Sequence, residues 1–137
     1  MSLFVDTSAW YAAADRSDAS HSRAVEILSR GESLWTSDHV LIETWRLLAH
    51  RLGWGVGERF YRQIMAGVAA IEVVGSGDLE TAMRIGERFP DQSFSIVDRT
   101  SFAVMERLGL ERVATFDHHF AVYRFGEASR RAFEVVR

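Results

Sequence analysis

The chain has 137 residues, 47% hydrophobic and 26% charged, which fits one globular domain with a sizeable core. It contains no cysteine, which excludes disulfides, thiolate catalysis and cysteine-based zinc sites and suits a reducing cytoplasm. A formal net charge of −3 excludes a polycation that holds nucleic acid by charge alone, so a phosphate-bearing partner needs a local basic rim or a metal bridge.

The N-terminal residues do not read as a secretory signal, because no basic segment precedes the apolar run and Asp6 interrupts it. No stretch approaches the roughly 18 apolar residues of a membrane span, so no membrane association is expected. Every one of the 16 basic residues is Arg, a residue suited to bidentate phosphate contacts. A compositional bias of the source explains this equally well.

Leu3-Phe4-Val5 is apolar without alternation, as in a strand buried on both faces of a parallel sheet. A helix opens at Thr7 or Ser8 and runs to Ala14, and Asp15-Arg16-Ser17-Asp18 breaks it. A second helix spans Ala19 to Arg30 and stops at Gly31. Ser33 to Thr36 is a short second strand. Ser37 or Asp38 caps a helix to Arg51, whose stripe is Val40, Leu41, Trp45, Leu48 and Leu52.

Gly53-Trp54-Gly55 reads as a break, and a helix follows from Gly57 to Met65. Val68 to Val74 is a third strand, rich in β-branched residues. After the turn Gly75-Ser76-Gly77, Asp78 is the expected N-cap of a helix from Leu79 to Arg88, which the only proline, Pro90, closes off. Ser93 or Ser95 opens a helix to Leu108, stopped by Gly109. Val113 to Phe116 is a fourth strand, and Arg131 to Arg137 is a candidate fifth edge strand. Strands alternating with helices argue for βα units around a parallel sheet.

Two strands end in a carboxylate: Val5 runs into Asp6, and Val113-Ala114-Thr115-Phe116 into Asp117. In open α/β sheets, chemistry gathers outside the carboxyl ends of the strands. Either aspartate could instead serve only as a cap or a turn residue. At about 100° per residue, Asp98 falls between Phe102 and Met105, inside the apolar arc of its helix. A carboxylate there must be paired, protonated or bound to a cation. The alternative is a capping box with Ser95. Glu43 borders Val40 and Leu47 at the margin of its stripe, with Arg46 and His50 near enough to pair with it. A solvated surface Glu is the competing reading.

Asp6 is delivered to the carboxyl edge of the sheet, and Glu43 lies roughly 7–8 Å along a helix that starts there. The helix from Asp98 descends about 15 Å, and the strand to Asp117 climbs back roughly 13–17 Å. The four carboxylates therefore converge on one edge. Crowded anions raise their own pKa values unless a cation joins them. All-oxygen ligands favour Mg²⁺ or Mn²⁺, and such ions activate water and bridge to substrate phosphates. Phosphodiester hydrolysis is the matching reaction class.

These motifs resemble the PIN domain, and among its members the VapC-type ribonuclease toxins of bacterial toxin–antitoxin pairs. The carriers are Phe4-Val5-Asp6-Thr7-Ser8-Ala9-Trp10, Leu41-Ile42-Glu43-Thr44, Phe94-Ser95-Ile96-Val97-Asp98-Arg99-Thr100-Ser101-Phe102 and Ala114-Thr115-Phe116-Asp117-His118-His119-Phe120. The resemblance covers essentially all of residues 1–137. It implies a single α/β domain with a central, mostly parallel sheet of about four or five strands flanked by helices. It places metal ligands at Asp6, Asp98 and Asp117, and the family's Glu at Glu43, binding directly or through water.

The resemblance further implies Mg²⁺ or Mn²⁺ as cofactor and RNA as substrate. Metal-activated water would leave a 5′-phosphate and a 3′-hydroxyl. A homodimer and a cognate antitoxin whose C-terminal segment blocks the site are implied as well; the expected location is cytoplasmic, in keeping with the absence of cysteine. Thr7 and Ser8 match family hydroxyls that orient the first aspartate, with helix capping as the alternative.

The family's last motif often carries another acidic or polar residue after its aspartate; here His118-His119 follow. His119 is a candidate for contact with phosphate or for proton donation, against the reading of both histidines as solvated loop residues. Arg46, Arg99 and Arg124 are candidates for the basic rim, with ordinary surface positions as the alternative. Rival functions are a non-catalytic interaction module on the same fold, a nuclease for structured DNA, and a phosphotransfer fold using Asp6 as nucleophile. The last lacks a second Asp two residues on, where Ser8 stands, and the chain has no Lys.

Overall fold

The Leu3-Phe4-Val5 run forms the middle of the sheet. The computed structural model describes residues 1–137. Strand β1 (Ser2–Val5) pairs in parallel with β2 (Ser33–Ser37) on one side and β4 (Arg112–Ala114) on the other. β3 (Ala70–Glu72) lies outside β2, and β5 (Glu134–Val136) outside β4. The five strands are all parallel, in the order β3-β2-β1-β4-β5. Leu3, Phe4 and Val5 are fully buried, because helices cover both faces of a central parallel strand. Each such side chain contributes roughly 1.5–3 kcal/mol of burial.

From β1 the chain moves outward through β2 to β3, then crosses back to β4 and β5 on the other side. The direction of winding therefore reverses between β1 and β4. At such a switch point the flanking loops part and leave a crevice at the carboxyl ends of the strands. Asp6 follows β1 there, and its N–H donates to the Ala114 carbonyl at 3.0 Å, so Asp6 lies beside the residues that follow β4.

Seven helices flank the sheet: α1 (Thr7–Ala14), α2 (His21–Leu28), α3 (Asp38–Leu52), α4 (Trp54–Gln63), α5 (Ser76–Arg88), α6 (Ile96–Leu108) and the single turn α7 (His119–Val122). Ser37 caps α3 by accepting from the Val40 N–H. Ser95 and Asp98 close a reciprocal capping box on α6, each bond 3.0 Å. Gly109 ends α6 with a left-handed φ of 70°.

Several local expectations need correction. The break before α4 is Gly53 alone, at φ 106°, while Gly55 and Gly57 lie inside the helix. Gly57 lets α4 pack closely on α3, where a Cβ would come within 3.2 Å of the Trp45 carbonyl. The third strand shrinks to Ala70–Glu72, because Val68 belongs to a wide turn over Ile64–Val68 and the Val74 N–H bonds the Asp38 side chain instead of a neighbouring strand. α2 is shorter than Ala19 to Arg30, since the Asp18 side chain holds the Ser20 N–H in a turn.

Asp78 is not the N-cap of α5 but its third residue. It accepts from Gly75 N–H, and Arg107 of α6 clamps it and Glu72 together. Leu52 is exposed rather than part of the buried stripe. Strand β4 stops at Ala114, two residues short of Phe116.

An aromatic cluster joins α6 to the C-terminal segment. Phe102 stacks on Tyr123 with ring centroids 4.2 Å apart, and Phe94 and Phe120 meet Phe102 edge-on. Tyr123 donates to Glu106 at 2.6 Å. This packing fixes the start of α6 against α7, and so places Asp98 beside the residues after β4.

Candidate active site

Asp6, Glu43, Asp98 and Asp117 line one cleft of about 470 Å³, together with Thr7 and Ser8. The sheet edge delivers Asp6 and Asp117, the second turn of α3 delivers Glu43, and the first turn of α6 delivers Asp98. Asp6 and Asp98 are buried, whereas Glu43 and Asp117 are partly exposed.

Asp6 is fixed by hydroxyls. Thr115 donates to Asp6 Oδ2 at 2.9 Å and Ser8 to the same oxygen at 3.2 Å. The Ser8 and Thr115 hydroxyls are 3.1 Å apart. Ser8 also accepts from Phe116 N–H, and Thr115 from Asp117 N–H. One small network thus ties the end of β1 to the turn after β4. Thr115 went unmarked in the sequence reading, although the pattern of a hydroxyl two residues before a strand-end Asp is visible there. Ser8 bonds Asp6 directly. Thr7 Oγ1 is buried with no hydrogen-bond partner.

Burial pushes the Asp6 carboxyl up to about 6, aided by the nearby charges of Asp98 and Asp117 and opposed by the Thr115 hydrogen bond. Every bond to the Asp98 side chain falls on Oδ2, from Ser95 N–H and from His119, which leaves Oδ1 without a protein partner. Asp98 is therefore a capping residue that also lines the cleft. Carboxylate oxygens, one orphaned buried hydroxyl and a carboxyl strained toward neutrality fit a hard divalent cation.

His119 departs from the solvated-loop expectation. It begins α7, its Nδ1 lies 2.8 Å from Asp98 Oδ2 and 3.4 Å from Asp117 Oδ1, and its ring packs edge-on against Phe94. His118 remains exposed.

The arginines divide differently from expectation. Arg46 borders a neighbouring cavity of about 630 Å³ with His39 and His50, which shares Glu43 and Leu47 with the acidic cleft. Arg99 turns away onto α5, donating to the Ala82 carbonyl at 3.1 Å. Arg124 bonds the Ala121 and Val122 carbonyls of α7. The one basic side chain lining the cleft is Arg51, set over the Tyr11 ring at 5.2 Å. Its signal was helical spacing: Glu43, Leu47 and Arg51 lie four residues apart on one face.

Comparison with known proteins gives the same frame. A family profile described as PIN domain matches residues 3–126. The chain is 36% identical over 126 residues to the 23S rRNA-specific endonuclease VapC20 of Mycobacterium tuberculosis, covering 91% of this chain and 96% of that protein. Ribonuclease VapC26 of the same organism is 27% identical over 124 residues, covering 89% and 92%.

The crystal structure of VapC20, described as a sarcin-ricin loop cleaving toxin, superposes with a TM-score of 0.83 at 35% identity, over 88% of this chain and 93% of that one. VapBC2 of Rickettsia felis shares the fold at a TM-score of 0.60 and 12% identity, over 89% and 92%. The all-parallel five-stranded sheet, the acidic cleft at its switch point and these matches agree: the chain belongs to the PIN-domain family.

Proposed function

We propose that this chain is a metal-dependent endoribonuclease of the VapC type, the toxin of a toxin–antitoxin pair. The observation that carries this reading is the gathering of Asp6, Glu43, Asp98 and Asp117 in one cleft at the switch point of the sheet. The names of the relatives support RNA as substrate, and VapC20 makes 23S rRNA the first RNA to try.

Asp6, Asp98 and Asp117 would hold Mg²⁺ or Mn²⁺, with Glu43 binding directly or through water. When bound, the ion supplies Lewis acidity toward water and the scissile phosphate. The chain supplies the rest. Ser8 and Thr115 hold the Asp6 carboxylate in one orientation, so its charge is positioned before substrate arrives. Arg51, at the rim, is placed to contact a backbone phosphate. With that ion bound, hydrolysis would leave a 5′-phosphate and a 3′-hydroxyl. Arg46 borders the adjoining cavity and extends the basic surface for RNA, whereas Arg99 is engaged with α5 and is assigned no role. The reading includes a homodimer, a cognate antitoxin and action in the cytoplasm.

Protein freed of any co-purifying partner, incubated with ribosomal RNA, is expected to cut only with Mg²⁺ or Mn²⁺ and not as Asp98→Asn. No cleavage with either metal would favour the non-catalytic module; cleavage of structured DNA alone would favour the DNA nuclease.

A further inference from the structure

We propose that Asp98, Asp117, His118 and His119 form a second, nitrogen-containing metal site for a borderline transition ion of the Zn²⁺ class. This site overlaps the hard-ion site around Asp6 and competes with it. The inhibitory consequence rests on the ribonuclease reading; the site itself does not.

Three of the donor atoms already stand together, and Asp98 joins them through its hydrogen bond to His119. His119 Nδ1 is 2.8 Å from Asp98 Oδ2 and 3.4 Å from Asp117 Oδ1, and His118 Nδ1 is 3.7 Å from that same Asp117 oxygen. Donor atoms of Asp117, His118 and His119 all lie within 4.8 Å of one another. For ligand bonds of about 2.0–2.1 Å, adjacent donors sit about 2.9 Å apart in octahedral and about 3.4 Å apart in tetrahedral geometry. The first two separations match these edges, and the third needs a small rotation of His118, whose side chain is 76% exposed and free to make it.

The rest of the set is built in advance. The His119 ring is held edge-on by Phe94 at 5.3 Å, and its backbone N–H donates to Asp117 Oδ1 at 2.9 Å. Asp98 is locked by its capping box. In the metal-free chain the His119 Nδ1–H donates to Asp98 Oδ2, so an incoming ion displaces that proton and leaves the ring proton on Nε2.

Two imidazoles with two carboxylates make a donor set for Zn²⁺, Ni²⁺ or Co²⁺, while Mg²⁺ keeps to oxygen ligands. Asp6 lies outside this set. An ion held by the histidines therefore draws Asp98 and Asp117 away from the ion that Asp6 shares with them. Two metals would divide the same cleft by ligand type, one supporting hydrolysis and the other stopping it.

The test is titration of the chelator-treated full chain with Zn²⁺ by calorimetry, and with Co²⁺, whose visible absorption reports its ligands. One equivalent is expected, with affinity falling at least about tenfold in His118→Ala and in His119→Ala, since even an outer-shell partner costs about 10–100-fold. Asp6→Asn is expected to retain the site, as is His50→Ala, whose ring lines the neighbouring cavity. Unchanged affinity in His118→Ala, an exposed position that leaves folding intact, would overturn the proposal. So would a loss in Asp6→Asn equal to that in the histidine variants.

In the presence of Mn²⁺ and RNA, the Zn²⁺ concentration that halves cleavage is expected to rise at least about tenfold in His118→Ala; an unshifted midpoint would overturn the competition. A chain that binds Zn²⁺ as described but never cuts RNA would sink only the ribonuclease reading.

Discussion

Replacing Asp6 with Asn is expected to abolish hydrolysis and yet stabilise the metal-free protein. Asp6 is only 4% exposed, and burial raises its carboxyl from 3.8 to about 6. A carboxyl with a raised folded-state pKa contributes stability that is complete below about pH 4 and lost as pH climbs through about 6. At pH 7.5 the folded chain therefore bears the whole cost of the ionised group, about 3 kcal/mol at 1.36 kcal/mol per pH unit. Asn carries no charge and still offers an oxygen to the Thr115 hydroxyl.

For a chain of this length that stabilisation corresponds to a melting point about 10 °C higher. Thermal melts in chelator at pH 7.5 read it directly, and the gap between the two proteins is expected to close by pH 4. Adding Mn²⁺ raises the melting point of the wild type far more than that of the variant. An Asn variant that melts at or below the wild type at pH 7.5 would refute the idea that Asp6 is held at a cost for a cation.

Three further substitutions separate the other parts of the site. Thr115→Val removes the donor to Asp6 and the acceptor for the Asp117 N–H; kcat/KM is expected to fall about 10²-fold, as when a positioned polar group is removed. Because that hydrogen bond lowers the Asp6 pKa, the acid limb of the pH–rate profile should also move to higher pH, and an unmoved limb would count against the role. Arg51→Ala is expected to weaken RNA binding and reduce the slope of log affinity against log salt by about 0.7–0.9, one phosphate contact; an unchanged slope would remove Arg51 from the RNA surface.

Arg107→Met strips the clamp from buried Asp78 and is expected to cost about 1–3 kcal/mol in urea unfolding, the half-exposed Glu72 arm adding little. Because Arg107 lowers the Asp78 pKa, this contribution is present above about pH 4 and fades as pH falls below it, opposite in sense to that of Asp6.

The parts of the site that were legible in the sequence are those in which a single residue broke a strong pattern. Asp6 ends an apolar run, Asp117 ends another, and Asp98 interrupts an apolar arc; a charge in such a place is costly, so it stands out. The Ser95 cap and the Gly109 stop were legible because they satisfy local backbone groups.

What escaped depended on distant chain. Gly55 reads as a breaker, yet α4 continues through it because the helix packs closely on α3. Val68 and Val73 carry strand propensity, but only Ala70–Glu72 find a neighbour in β2. His119 looked like loop because its partners, Asp98 and Phe94, lie more than 20 residues away. Arg99 sits next to Asp98 in sequence, but successive helical residues point about 100° apart, which sends it to α5. Arg51 is eight residues from Glu43, two turns along the same face, and so reaches the cleft.

The chemistry of the cut ends is the most direct measurement of the central claim. Cleaved ribosomal RNA is to be mapped at both new termini after incubation with Mn²⁺, beside Asp6→Asn and Asp98→Asn. Attack by an activated water within the carboxylate cleft predicts 5′-phosphate and 3′-hydroxyl ends that vanish in both variants. Ends bearing a 2′,3′-cyclic phosphate, or cuts that persist in the variants, would contradict it.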